Sequence, residues 1–284
     1  MNHQLNLRTG KMINYNEIKF LAKHAVKALA DEAALTPKPG LVDKNNCGAH
    51  KDLNLALMLR SANALYNTFL EMAEASFSKL PSNKLWQELS QIGLKGEKTM
   101  FNETGGINTH KGAIWALGLL VCGAAMNGEY DDTRKIVALA SKIASYNRTS
   151  EISNGFYALK NYGVAGARGE AQAAFPHVID VALPTLYNSR KKGFSEDSSR
   201  IDALIALIAT VDDTCILHRG GMGALMEAQN GAKEIIRSGG ATTEEGFNSL
   251  IKLDKMLIKI NVSPGGSADL LAAALFLDSI KNRR

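Results

Sequence analysis

The sequence predicts an all-α fold, in which a single domain forms a multi-helix bundle. Apolar residues recur at three- and four-residue spacings along most of the 284 residues, as they do in amphipathic helices. The alternating pattern of half-buried strands is nearly absent, and Ile107, Val164 and Val211 sit in short turns rather than in runs of β-branched residues. No Gly/Ser/Pro-rich linker and no fixed repeat divides the chain, so we expect one domain over 1–284, with 1–13 a mobile end.

The helices of the first half follow from periodicity and capping residues. Asn14 is a suitable N-cap for a helix whose apolar face runs from Ile18 to Leu29. Residues 111–126 are apolar on all sides, which predicts a central, fully buried helix. Further helices are predicted over 52–77, as one long helix, and over 83–100 and 131–144.

Two prolines interrupt the helical pattern of the second half. Pro176 and Pro184 both lie within 170–187, which predicts either a kink or two helices there. Thr242 and Glu245 have the spacing of a capping box, which predicts a helix from this point to about residue 260. The remaining predicted helices span 196–210, 220–238 and 267–281.

Charge and composition narrow the classes of function. The chain has 33 basic and 28 acidic side chains, which give a net charge of +5. Its basic clusters are short and its aromatic content is only 6%, so nucleic-acid binding is not expected. No apolar run reaches the ~18 residues of a membrane span, and the N-terminus lacks the apolar region of a signal peptide. Three cysteines without metal-ligand spacing favour a cytoplasmic protein. The positive excess would suit a pocket for a polyanionic small molecule.

Glycines occur together with charged or amide residues in five segments, each expected to lead into a helix. Glycine lets the backbone approach an anion closely, and the N–H groups and dipole of a helix N-terminus favour negative charge. Ordinary turns are the alternative explanation for any one segment, and the spacing matches no P-loop. We expect the active site to be built from these glycine-rich loops at helix N-termini. The segments are 36–43, 105–112, 166–170, 212–221 and 263–269.

Acidic side chains lie in or near the same segments. Mg²⁺ prefers oxygen ligands and commonly uses one or two carboxylates together with substrate phosphates. The adjacent Asp212 and Asp213 repel each other, which a cation would relieve, whereas helix capping or ion pairing is an open alternative for Glu170 and Asp269. Mg²⁺ is therefore the expected cofactor, and its expected ligands are Asp52, Asp212, Asp213 and Asp269. His24 and His177 lie on predicted helices and are expected to serve packing or the surface.

Five stretches of the sequence resemble, in the same order, motifs of the triphosphoribosyl-dephospho-coenzyme A synthase family. Three departures from the family pattern are Cys215 in place of Asn, Asn54 where an acid is common, and Ala174 where Gly usually precedes Phe-Pro. The stretches are LTPKPGLVDKNNCGAHKDL (35–53), GGINTHKGAI (105–114), GARGEA (166–171) followed by FP (175–176), DDTCILHRGG (212–221) and SPGGSADLLA (263–272).

The resemblance implies an all-helical enzyme and a specific reaction. ATP donates its 5-triphosphoribosyl group to the ribose 2′-hydroxyl of 3′-dephospho-CoA, and adenine leaves. The product would pass to a separate transferase that acts on the acyl carrier protein of citrate lyase or, in related proteins, of malonate decarboxylase. The motifs are shared by both versions, and a homodimer is possible.

This chemistry assigns expected roles to residues of the matching stretches. Cleavage of the N-glycosidic bond develops positive charge on the ribose, so a carboxylate should stabilise that charge and another should accept the hydroxyl proton. The triphosphate is retained and serves to position the ribose. The expected catalytic residues are Asp212, Asp213 and Glu170, with His110 or His218 assisting adenine, and the expected substrate- and phosphate-binding residues are Lys38, Gly40, Asn108, Lys111, Arg168, Arg219, Gly220, Gly265 and Gly266.

Two other functions compete with this hypothesis. All-helical, Mg²⁺-dependent ADP-ribosyl hydrolases use paired acids at a similar bond, and the chain has faintly similar pieces at 212–214 and 265–269. A non-catalytic nucleotide or acyl-carrier binding module would bind ATP without turnover. Whether adenine release requires dephospho-CoA discriminates among all three.

Overall fold

The computed structural model describes residues 15–147 and 154–281, and the parts of the chain that it describes contain helices and no strand. The all-α prediction is therefore confirmed. The predicted Asn14 cap and the predicted mobile end at 1–13 lie outside the described residues. The helices are α1 (Tyr15–Ala34), α2 (Leu55–Ala64), α3 (Tyr66–Ser76), α4 (Asn83–Thr104), α5 (Lys111–Asn127), α6 (Thr133–Ala144), α7 (Asn154–Tyr162), α8 (Gly166–Gln172), a π-helix (His177–Ala182), α9 (Leu183–Lys191), α10 (Glu196–Thr210), α11 (Thr214–Arg237), α12 (Glu244–Lys259) and α13 (Gly265–Lys281).

Two apolar helices, α5 and α13, form the centre of the bundle. Most residues of both are buried, as expected for helices with an apolar surface on nearly all sides. The two helices pack against each other, and α1 packs against both of them. One continuous apolar core extends from Ile18 in α1 to Ile280 in α13. The prediction of a central, buried helix over 111–126 is confirmed.

The prediction of one long helix over 52–77 is wrong. Asn54 caps α2 by accepting a hydrogen bond from the backbone N–H of Leu57, so the helix begins at Leu55. The chain then turns at Leu65, whose N–H donates to the carbonyl of Ala62 at 3.2 Å, and α3 begins at the next residue. No proline or glycine marks this break. Leu65 itself is fully buried, so packing in the core fixes the turn.

The second half also departs from prediction at two helix starts. α11 begins at Thr214 rather than at 220, because Asp213 caps it, and the non-helical Gly221 (φ 68°, ψ −168°) interrupts it. The cap of α12 is Thr243, whose hydroxyl accepts from the N–H of Gly246 at 3.0 Å, so the capping box predicted at Thr242 is off by one residue.

Residues 170–187, which contain Pro176 and Pro184, belong to more than one helix. Of the two predicted alternatives, a kink or separate helices, the second is therefore confirmed. The π-helix follows Pro176, and α9 begins with Pro184 in its first turn, where a missing N–H costs no intrahelical bond. The first helix of this segment, α8, begins at Gly166, ahead of the predicted 170, and α7 was not predicted. No helix in the described ranges is both long and apolar enough to cross a membrane.

Candidate active site

The N-terminal ends of three helices meet at one end of the bundle. Asp213, the N-cap of α11, hydrogen-bonds the first turn of α13, and Asp269 of α13 lies against Gly112 of α5. Cys215 in the first turn of α11 faces Gly265 at the start of α13. We call this place the helix-end centre and define it by Gly112, Asp213 and Asp269. It joins three of the five stretches that the sequence singled out.

The five glycine-containing segments are not all loops. Gly166 and Gly169 lie inside α8, and Gly265 and Gly266 belong to the first turn of α13. Most of segment 212–221 is helical as part of α11. More of these glycines thus lie within helices than in loops, and an active site built from glycine-rich loops stays a prediction.

Asp213 fixes α11 and α13 to each other. Its Oδ1 accepts from the N–H groups of Cys215 (2.9 Å), Ile216 (3.4 Å) and Gly266 (3.2 Å). Its Oδ2 accepts from the N–H (2.8 Å) and the hydroxyl (3.0 Å) of Ser267. Burial raises the pKa of this carboxyl, and the hydrogen bonds oppose that shift. These bonds occupy the roughly four lone-pair sites of a carboxylate, which leaves Asp213 little capacity for the metal or base role expected from the sequence.

Asp269 is the other carboxyl of the helix-end centre. Unlike Asp213, it does not accept hydrogen bonds from several donors among the described residues. A Cβ placed on Gly112 would lie 2.0 Å from its Oδ2, so only glycine admits this carboxylate against α5. Burial raises the pKa of Asp269 well above its usual value, and the nearby charges of Glu32 and Asp213 raise it further. The backbone N–H of Ala113 partly opposes this shift. A carboxyl with a raised pKa among other acids is typical of a catalytic site.

A buried ion pair that the sequence did not reveal lies beside this centre. Lys38 donates from Nζ to Oε1 (2.6 Å) and to the backbone carbonyl (2.7 Å) of Glu32, and the two residues are 2% and 4% exposed. The predicted phosphate ligand Lys38 thus has its ammonium committed to Glu32. No motif marks Glu32, which ends an ordinary amphipathic helix, so only the fold identifies it.

His110 is the N-cap residue of α5 and is buried. Its Nδ1 lies 3.0 Å from the hydroxyl of Ser61, which also lies 2.6 Å from the hydroxyl of Thr109. Its Nε2 is buried and has no hydrogen-bond partner among the described residues. Burial, and then the charge of Lys38, lower the pKa of His110 to about 3, so the ring is neutral at pH 7.

Two more predicted ligands lie at the start of α5. Asn108 accepts from the backbone N–H of Lys111 at 3.1 Å and so helps to begin the helix. The Lys111 side chain is 46% exposed and pairs with Glu97 at 2.8 Å. Glu97 also accepts from the indole N–H of Trp115 at 2.7 Å, which holds the carboxylate in place.

A second predicted cation, Arg219, lies on α11 beside the loop that follows α1. Its guanidinium donates to the carbonyl of Ala49 at 3.2 Å and lies 3.3 Å from Nδ1 of His50, which is 3.7 Å from Asp52. Burial and the charge of Arg219 lower the pKa of His50, and Asp52 opposes this. Arg219 has no ion-pair partner among the described carboxylates.

The predicted glycine ligands of this region are packing sites. The N–H of Gly40 donates to Asp254 of α12 at 2.9 Å, and the residue has φ +67°. A Cβ on Gly220 would lie 2.8 Å from Val262, so this glycine allows α11 to approach the segment that leads to α13.

Glu170, Arg168 and Asp212 contact groups other than those of the helix-end centre. Glu170 accepts from the backbone N–H (2.9 Å) and pairs with Nδ1 (2.7 Å) of His177. This bond raises the pKa of His177, to which the sequence assigned only packing or a surface position. Arg168 donates to the carbonyl of Asn147, and the exposed Asp212 lies 3.4 Å from the amide of Gln229.

The four predicted metal ligands do not assemble into a metal site. Asp52 contacts His50, Asp212 contacts Gln229, and the oxygens of Asp213 are occupied by N–H and hydroxyl donors. Within 15–147 and 154–281 no group of three or more His, Cys, Asp or Glu side chains is arranged to hold a metal ion. The described side chains therefore supply no preassembled set of three Mg²⁺ ligands.

Comparison with known proteins identifies the class to which this fold and site belong. Residues 18–284 match the family model described as ATP:dephospho-CoA triphosphoribosyl transferase. The chain belongs to that family and is a transferase.

Among its relatives is the 2-(5″-triphosphoribosyl)-3′-dephosphocoenzyme-A synthase of Klebsiella pneumoniae, 45% identical over 93% of this chain and 96% of the relative. Two relatives bear the same name preceded by the word "probable". The one from Pseudomonas syringae pv. tomato is 45% identical over 92% of this chain and 91% of its own, and the one from Pseudomonas aeruginosa is 44% identical over 92% and 90%. No solved structure gives a significant match.

Proposed function

We propose that this chain transfers the 5-triphosphoribosyl group of ATP to the ribose 2′-hydroxyl of 3′-dephospho-CoA and releases adenine. The family match over residues 18–284 carries this proposal. Arg219 and Lys111, which lie near the N-terminal ends of α11 and α5, support it because cationic side chains bind polyphosphates.

Asp269 is the carboxylate best suited to the chemistry. The bond between C1 of the ATP ribose and N9 of adenine breaks, the bonding pair and one proton go to adenine, and the 2′-oxygen of dephospho-CoA bonds to C1. When ionised, the carboxylate of Asp269 stabilises the positive charge that develops on the ribose. The raised pKa of Asp269 also suits a base that accepts the proton of the attacking hydroxyl. Asp213 acts as a positioning residue, since its oxygens hold α11 and α13 together.

The triphosphate is held by cations around the same centre. Arg219 offers a guanidinium without a carboxylate partner among the described residues, and Lys111 is half-exposed at the start of α5. Lys38 acts indirectly, because its ammonium neutralises Glu32 beside Asp269 and disfavours a charged His110.

Mg²⁺ enters with the nucleotide in this proposal. Mg²⁺ is commonly bound through substrate phosphates with several waters retained, which needs no dedicated group of protein ligands. Such a complex does not require Asp52 and Asp212, whose contacts are with His50 and Gln229.

Mass spectrometry of the product from ATP and 3′-dephospho-CoA tests the reaction. We expect a product with the mass of triphosphoribosyl-dephospho-CoA and one free adenine for each product molecule. Adenine released at an equal rate without dephospho-CoA would instead identify an N-glycoside hydrolase, and nucleotide binding without adenine release would identify a binding module.

The cellular context is part of the same proposal. The product would be passed in the cytoplasm to a transferase that acts on an acyl carrier protein, of citrate lyase or of malonate decarboxylase. A homodimer remains a prediction that sedimentation of the purified chain tests.

A further inference from the structure

A pocket at the junction of α7 and α11 has the composition of a site for a purine base. It has a volume of about 300 Å³ and is lined by Tyr157, Ala158, Asn161, Tyr162, Leu217 and His218. This volume lies at the lower end of the ~300–1,000 Å³ range of small-molecule pockets, which suits a nucleoside better than a whole nucleotide triphosphate. Two aromatic rings, one amide and one imidazole therefore surround a space of nucleoside size.

The two tyrosines present aromatic surface that the apolar core does not use. Tyr157 is 48% exposed and Tyr162 is 40% exposed, although both lie on the face of α7 that borders the pocket. Flat bases bind to proteins largely by stacking on such rings. Asn161 lies between them in sequence, and an Asn amide can donate to and accept from one edge of adenine at the same time.

The break in α11 lies beside the ring of Tyr162. Gly221 has φ 68° and ψ −168°, a conformation that few other residues adopt. A Cβ at this position would lie 3.7 Å from the hydroxyl of Tyr162, so the ring reaches the interrupted stretch of α11.

The pocket also lies close to the proposed reaction centre along α11. His218 follows Asp213 by five residues, which corresponds to about 7.5 Å along a helix. Arg219, the proposed triphosphate ligand, is the next residue.

We propose that this pocket binds the adenine ring of a substrate, with Tyr157 and Tyr162 providing stacking surface and Asn161 and His218 contacting the polar edge. The inference rests on the proposed function for its ligand, since both ATP and 3′-dephospho-CoA carry adenine. The shared chemistry is the adenine ring, and the experiment distinguishes its two sources.

Equilibrium binding of each substrate alone tests the pocket without turnover. Isothermal titration with ATP, and separately with 3′-dephospho-CoA, is compared for the original chain and for Tyr157→Ala, Asn161→Ala and Tyr162→Ala. We expect at least one of these variants to weaken binding of one of the two ligands about tenfold. Loss confined to ATP identifies the departing adenine, and loss confined to dephospho-CoA identifies the acceptor. Tyr157→Phe, which keeps the ring, should retain most of the affinity.

Lys160→Ala is the matched control, because Lys160 is exposed on α7 and does not line the pocket. If all three pocket variants, with unchanged circular dichroism, bind both ligands within twofold of Lys160→Ala, the proposal is overturned. An unmodified chain that binds ATP through this pocket but releases no adenine would refute the proposed reaction and leave the pocket assignment standing.

Discussion

His110 combines, in one residue, full burial, an unpartnered Nε2 and a pKa lowered to about 3. A histidine in this state donates or accepts a hydrogen bond but does not act as an imidazolium. Any help that it gives to the departing adenine is therefore a hydrogen bond from or to a neutral ring.

We expect the ring signals of His110 to remain constant in NMR spectra between pH 5 and 8. His177, whose pKa Glu170 raises, should titrate over a range above 6.5 in the same spectra. The unfolded chain protonates His110 near 6.5 whereas the folded chain does so only near 3, so this histidine lowers the free energy of unfolding as the pH falls below 6.5. A His110 signal that titrates near neutral pH would contradict the assignment.

Asp269→Asn separates the proposed base from the other acids. The amide keeps the size of the side chain but supplies neither the charge for the ribose nor a proton acceptor, so kcat should fall by about 10²-fold or more. Asp212→Asn is the control, because the exposed Asp212 contacts Gln229 rather than the helix-end centre. The kcat of this variant should stay within a few-fold of that of the original chain. Equal losses of kcat in the two variants would instead favour the catalytic role that the sequence predicted for Asp212.

The carboxylate of Asp213 accepts hydrogen bonds from the N-terminal ends of two helices. Asp213 accepts from N–H groups of α11 and of α13, whereas a typical N-cap serves one helix. Asp213→Ala should therefore lower the free energy of unfolding by about 2 kcal/mol, twice the cost of losing a single cap. Chemical denaturation measures this. Ser195→Ala, which removes the single cap of α10, is the matched control and should cost about 1 kcal/mol.

The pairing of Glu170 with His177 joins α8 to the π-helix and depends on pH. Because the folded pKa of His177 lies above 6.5, its stabilisation is fully present below pH 6.5 and is lost as the pH rises through the folded pKa. The difference in free energy of unfolding between the original chain and His177→Asn should shrink from pH 6 to pH 9. Denaturation curves at several pH values measure it, and a difference that grows with pH would contradict the pairing.

For the whole molecule, the absence of a fitting metal site among the described residues gives a testable expectation. Calorimetric titration with Mg²⁺ alone should give no saturable binding, and Mg²⁺ should associate only when ATP is present. EDTA should abolish turnover and leave the thermal unfolding midpoint unchanged. A midpoint lowered by EDTA would reveal a structural metal ion that the proposal lacks.

The sequence predicted the architecture better than the site. Periodicity identified the buried helix over 111–126 and the helix over 196–210, because burial pattern is local information. It missed the break at Leu65, which no glycine or proline marks and which core packing fixes. The start of α11 was predicted too late, at 220, because Asp213 was assigned a catalytic or metal-binding role. In the fold, Asp213 is the N-cap of this helix.

The fold brings some of the predicted site residues together and separates others, and their roles stay predictions. Motif residues such as Asp269 and Arg219 do lie at or beside the meeting point of the helices. Whether a charge is available depends on partners distant in sequence, and Lys38 shows this, because Glu32 takes up its ammonium. Glu32 and Tyr157 carried no sequence signal, since one ends an ordinary helix and the other lies in a helix that was not predicted.

The bonds from Ser267 to Asp213 span 54 residues of chain, and they have a consequence for the order of synthesis. A ribosome delivers α1 to α12, with the proposed triphosphate ligands Lys111 and Arg219, before it delivers α13. Because α13 is central to the apolar core, a nascent chain without it has neither a completed core nor the carboxylate of Asp269. Folding of the bundle and assembly of the proposed site therefore both await the docking of the helix that begins at Gly265.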